Sequence, residues 1–180
     1  MITAASYSFA FSHLDDDPFA TCIWRNVAPS RCRSFLWQVH QQKLNTHLRL
    51  HSRRANNSGL CHFCGSPEDT THLFLHCPRS QAFWATLHIP SSSISNIELL
   101  WNFPFPGPEL PNQKARSTII TCLLWNLWKC RNSKVFNQVD ESDSDIKRRC
   151  AADLLLWANR TTSVAIKSCL GLWSSFILNM

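Results

Sequence analysis

Apolar positions along this chain recur at helical spacing in several separate stretches. Cys32, Phe35, Leu36 and Val39 predict a helix from Arg31 to about Gln42, entered through Pro29-Ser30. Asn45-Thr46 reads as the cap of a second, short helix that runs through Leu48 and Leu50 and ends near Arg54. The polar turn ANNSG follows. Residues Glu68 to Leu75 read as a helical turn, with Thr70 or Thr71 as cap and His72 near its start. Pro78 suits the first position of another helix through Gln81, Phe83 and Trp84. The run SSSISN and Pro104, Pro106, Pro108 and Pro111 then read as a linker without regular structure. Beyond it, Ile120, Leu123, Leu124, Leu127 and Trp128 stripe a long helix from about Lys114 to Phe136, with Lys129, Arg131 and Lys134 toward its end. Ile146, Cys150, Leu154 and Trp157 predict one more helix, over about 144–159. The tail SVAIKSCLGLWSSFIL fits either a further helix or an unpaired remnant.

Composition adds bounds. At 180 residues and 44% hydrophobic, with eight Trp and eleven Phe, the chain can build one aromatic-rich core or a small module with a helical partner. Nine cysteines are an odd number, and the opening MITAASYSFAF lacks the basic start of a signal peptide before it meets Asp15-Asp16-Asp17. No stretch is long and apolar enough to span a bilayer. These features predict an intracellular protein, nuclear or cytoplasmic, with reduced thiols and no membrane partner. The three aspartates lack the flanking strands of a polymerase carboxylate pair and read as a loop or helix-start cluster.

The most specific chemistry lies in CHFCGSPEDTTHLFLHC. Cys61, Cys64, His72 and Cys77 stand as Cys-x2-Cys-x7-His-x4-Cys, the ligand count and type of a closed tetrahedral structural zinc site. Gly65 permits the tight bend that lets two nearby thiolates face one ion. Zinc accepts thiolate and imidazole together without redox chemistry. His62 and His76 are set aside, since His76 adjoins Cys77 and neighbours chelate one ion poorly. A redox Cys-x-x-Cys would need a strand–helix setting, and a disulfide an oxidising compartment. Four protein ligands leave no position for a catalytic water. The fold class expected is therefore mostly α: a zinc-stabilised helical module over 18–90 after a frayed leader (1–17), a Pro/Ser-rich linker (91–113) and a helical C-terminal region (114–180).

Charge is distributed unevenly. The net charge is +6, and between Pro18 and Pro67 there is no acidic residue. That stretch holds Arg25, Arg31, Arg33, Lys43, Arg49, Arg53 and Arg54 with four histidines. One-signed polarity suits a polyanion, nucleic acid first. A solvated helix face with its countercharges on 140–145 also accounts for it. Trp37 and Phe63 could stack on bases among these cations or simply pack in the core.

The run IWRNVAPSRCRSFLWQVHQQKLNTHLRL, then LCHFCG, then EDTTHLFLHCPRSQAFW, resembles the zinc-binding domain found downstream of the reverse transcriptase in plant LINE-type retrotransposons. Trp24, Pro29, Phe35, Leu36, Trp37, Leu44, Thr46 and Leu50 match the first part of that pattern. Cys61, Cys64, Glu68, His72, Cys77, Pro78 and Trp84 match the second. The phrase LLWNLWKCRNSKVF (Leu123 to Phe136) resembles the helix that follows in such elements, so the resemblance covers about Ser6 to Phe136. It implies one structural zinc ion, a reverse transcriptase domain absent from this chain as former neighbour, and contact with RNA or DNA template. None of the family polyprotein's catalytic domains fits this chain, which reads as a detached piece. The expectation is a non-catalytic zinc module that binds RNA or single-stranded DNA through Arg31, Arg33, Lys43, Arg49, Arg53 and Arg54. The alternatives are a structural or protein-interaction module, and a retroelement relic without a role.

Overall fold

A computed structural model describes residues 17–53 and 58–180; Asp15, Asp16 and Arg54 lie outside the described residues. Seven α-helices are present among them: α1 (Pro18–Arg25), α2 (Ser30–His40), α3 (His47–His51), α4 (Pro78–Thr86), α5 (Gln113–Asn137), α6 (Asp143–Ala158) and α7 (Val164–Asn179). One π-helical turn (His72–His76) and two 3-10 turns (Ser91–Ser93 and Ile97–Trp101) complete the order. No strand occurs among the described residues; Leu60 and Pro67 make a single antiparallel bridge. The expected mostly helical class is what the chain adopts.

Helix starts follow local chemistry. Asp17 Oδ1 accepts the Phe19 N–H at 2.9 Å, with Pro18 at the first position, so this aspartate caps α1. Asn112 caps α5 by accepting from the Ala115 N–H, and α5 ends where Gln138 turns left-handed at φ 59°. Ser142 and Asp145 form a reciprocal capping box at the start of α6.

Helix α5 is the axis. Ile119, Ile120, Leu123, Leu124 and Leu127 are buried along it, against α1, α2, α6 and α7. Its polar positions are used too. Asn26, after α1, donates to Thr121 Oγ1 (3.0 Å) and Ser117 Oγ (3.4 Å), and the Val27 N–H donates to Thr118 Oγ1. These bonds satisfy a buried chain corner that would otherwise carry orphan polar groups. Helices α6 and α7 pack as an antiparallel pair, with Ser174 Oγ donating to the Ala151 carbonyl.

The tail of the sequence is a packed helix: Ile166, Leu170, Trp173 and Ile177 of α7 are buried, which decides between the two expectations for it. The segment expected to lack regular structure forms the two 3-10 turns and buries Ile94, Ile97, Leu100 and Trp101. Four buried apolar side chains among eight residues draw it onto the core, despite the serines before them. One apolar cluster thus extends from Ile23 to Ile177.

Candidate metal centre

Cys61 and Cys64 lie on a knuckle closed by its own backbone. The Gly65 N–H donates to the Cys61 carbonyl (2.9 Å) and the Cys61 N–H to the Ser66 carbonyl (2.8 Å). Gly65 sits at φ +73°, the left-handed bend expected of it. The other two residues flank the π turn. The His72 N–H donates to Asp69 Oδ1 at 2.6 Å, so Asp69, not Thr70 or Thr71, caps that turn. The Cys77 N–H reaches back to the His72 carbonyl at 2.6 Å, which places both side chains toward the knuckle.

Leaving the turn at Cys77 frees the carbonyls of Leu73, Phe74 and Leu75 from helical partners. Three buried side chains satisfy them: Ser80 Oγ donates to Leu73, Trp84 Nε1 to Phe74 at 2.6 Å, and Ser91 Oγ to Leu75. Trp84 is fully buried and thus serves backbone and core together.

The four candidate ligand atoms lie within 4.8 Å of one another. Cys61 Sγ and Cys77 Sγ are 3.7 Å apart, and Cys64 Sγ and His72 Nε2 are 3.3 Å apart. A tetrahedral zinc ion with its usual bond lengths requires edges of about 3.8 Å between sulfurs and about 3.6 Å between sulfur and nitrogen. The donor set and its spacing therefore fit one zinc ion. Cys77 beside it draws the Cys61 thiol well below its ordinary range, and the same contact pushes Cys77 up. A cation centred on the cluster would favour the thiolate form of both. His62 packs on the His47 ring and His76 Nε2 meets the Ile94 carbonyl; neither joins the cluster.

Glu68, between the two ligand pairs, is fully buried. Its Oε1 accepts from the His47 N–H (2.8 Å) and from Arg131 Nη2 (2.6 Å), and its Oε2 accepts from Arg131 Nε (3.2 Å). Arg131, expected only to complement the end of a helix, is itself buried. No local signal in the sequence pairs it with Glu68.

Of the six basic residues of the expected nucleic-acid surface, Arg54 lies outside the described residues and the other five are placed unequally. Arg31, Lys43 and Arg53 are exposed. Arg33 donates to the Trp24 carbonyl at 2.6 Å and Arg49 to the Gln42 carbonyl at 2.5 Å, so both also tie the fold. Trp37 and Phe63 are half-buried against the core.

Known proteins support this assignment. Residues 2–84, just under half of the chain, match the family described as zinc-binding in reverse transcriptase. An Arabidopsis thaliana protein named "Putative ribonuclease H protein" is 27% identical over 126 residues, or 67% of this chain. The matched span is 20% of that protein's length. No solved structure matches. The resemblance carried by the Cys/His spacing and its flanking aromatics is therefore borne out: residues 2–84 are similar to the family described as zinc-binding in reverse transcriptase.

Proposed function

We propose that this chain is a non-catalytic zinc module of retrotransposon origin whose metal holds together a basic surface for RNA or single-stranded DNA. The carrying observation is the Cys61, Cys64, His72, Cys77 cluster, its donor atoms within 4.8 Å of one another, which overlaps the end of the stretch from Pro18 to Pro67 that has no acidic residue. All four coordination positions come from the protein, which suits structure rather than catalysis. The exposed Arg31, Lys43 and Arg53 supply the cations, with Arg33 and Arg49 nearby in the chain. Titration of zinc-loaded protein with RNA and single-stranded DNA tests this. Binding that weakens steeply with salt is expected, because each phosphate contact releases a counterion; no salt-sensitive binding refutes it.

A second reading, a protein-interaction module, draws on the terminal helices. Leu155, Leu156 and Leu172 are 54%, 64% and 57% exposed. Such apolar side chains suit contact with another domain, a reverse transcriptase among the candidates. Self-association of the zinc-loaded chain that is lost on Leu156→Lys would favour it. Among the described residues no helix is long and apolar enough to cross a membrane.

A further inference from the structure

We infer that the groove between α5 and the corner at Leu44–His47 is where unpaired nucleotides bind; this rests on the nucleic-acid reading above and gives it a location. Two hollows adjoin there and share Asn45 and Trp128. The larger, about 610 Å³, also meets Leu50, Asn132, Val135 and Phe136. The smaller, about 220 Å³, also meets Arg31, Phe35, Gln38 and Trp125. Trp125, Trp128, Asn132 and Phe136 follow one another at intervals of three and four, so one face of α5 runs along both hollows.

The lining combines three chemistries. Trp125 and Trp128 are half-buried and held by neighbours: Phe35 meets them at 5.1 Å and 6.2 Å between ring centroids, and Arg131 lies 5.0 Å from the Trp128 ring. Phe136 is 74% exposed, a large apolar surface that the fold itself leaves in water. Gln38 and Asn45 are exposed amides at the rim. Arg31, also exposed, has no carboxylate partner among the described residues. Among the described residues no carboxylate lines either hollow, and Glu68 lies fully buried in its pair with Arg131.

Aromatic faces accept any base by stacking, amides can meet base edges, and cations meet phosphates. A duplex keeps its bases stacked inside, so this lining suits a single strand. An apolar peptide would use Leu50, Val135 and Phe136 but would gain nothing from the one-signed rim.

The test is fluorescence anisotropy of the zinc-loaded full chain with a labelled RNA about a dozen nucleotides long and its DNA counterpart. Phe136→Ala and Trp128→Leu should each weaken binding about tenfold. Arg31→Glu should weaken it and lower the salt slope by about one. Phe136 and Arg31 are exposed, so these two variants report on the groove even if Trp128→Leu misfolds. Wild-type affinity in Phe136→Ala and Arg31→Glu, with salt-sensitive binding intact in the parent, overturns the groove alone. No binding by the parent overturns the groove and the nucleic-acid reading together. Equal affinity for a duplex, or displacement of the RNA by a polyglutamate peptide at equal concentration, overturns the single-strand assignment.

Discussion

Glu68 and Arg131, 63 residues apart, meet in a buried ion pair with two hydrogen bonds, 2.6 Å and 3.2 Å. It joins the segment that carries the candidate zinc ligands to the longest helix. The carboxylate also accepts the His47 N–H, and the Glu68 carbonyl accepts the Leu48 N–H, so the start of α3 hangs on the same residue. Arg131→Ala would strand a buried carboxylate, and the expected loss is about 3–5 kcal/mol of stability. Arg131→Met with Glu68→Gln should cost less than Arg131→Ala alone. Denaturant unfolding of the three proteins checks the order; equal stability of Arg131→Ala and the parent would show that the pair contributes nothing.

Cys64→Ala and His72→Ala should each abolish stoichiometric zinc, whereas His62→Ala and His76→Ala should keep it. Structural zinc can contribute on the order of 10 kcal/mol to a small domain. Because the apolar cluster is continuous from Ile23 to Ile177, loss of the metal should weaken the helical core as well. Elemental analysis and circular dichroism with and without chelator decide; helicity unmoved by chelation would contradict a structural metal.

Trp84→Phe preserves most of the ring volume and removes the Nε1 donor from the Phe74 carbonyl. An unsatisfied buried acceptor costs about 1–3 kcal/mol. Since that carbonyl belongs to the turn between His72 and Cys77, zinc affinity should drop with stability. A competition titration with a chromophoric chelator measures it, and unchanged affinity would separate the turn from the site.

His47 titrates against the fold. Burial holds its pKa below the ordinary 6.5, and the Arg131 and His62 charges add to the shift while Glu68 opposes it. The unfolded chain therefore takes up this proton first, so stability falls as pH drops from about 6.5 through the lower folded value. Above that window His47 is neutral in both states and exerts no slope. His47→Gln should remove this part of the acid sensitivity, read as the difference between the two proteins' unfolding free energies from pH 7.5 to 5 at saturating zinc. A difference that stays constant across that range would contradict it.

The ligand set and the helices nearest it were legible in the sequence because their causes are local. Cys61, Cys64, His72 and Cys77 lie within a single turn-and-helix segment, so spacing alone restricts how they can converge. Gly65 marks the bend after the first ligand pair and Pro78 the start of α4 after the last ligand, and the stripe from Ile120 to Trp128 marks the middle of α5. Less was legible where a residue's partner is remote. Asp17 read as part of a leader, yet it caps α1 and meets His40 Nε2 at 2.7 Å. Trp125 and Trp128 share a helix face with Phe136, but only the approach of Phe35 and Asn45 turns that face into a groove.

The sequence by itself determined a helical chain, a Cys3His cluster suited to zinc and a basic stretch beside it, all from contacts a few residues long. Tertiary structure decided that 91–113 joins the core, that the tail is a packed helix, and that Arg131 reaches Glu68. Those outcomes depend on burial. An arginine and a glutamate 63 residues apart carry no mutual signal in the chain, and only exclusion of water from the space between α3 and α5 makes each the other's required partner.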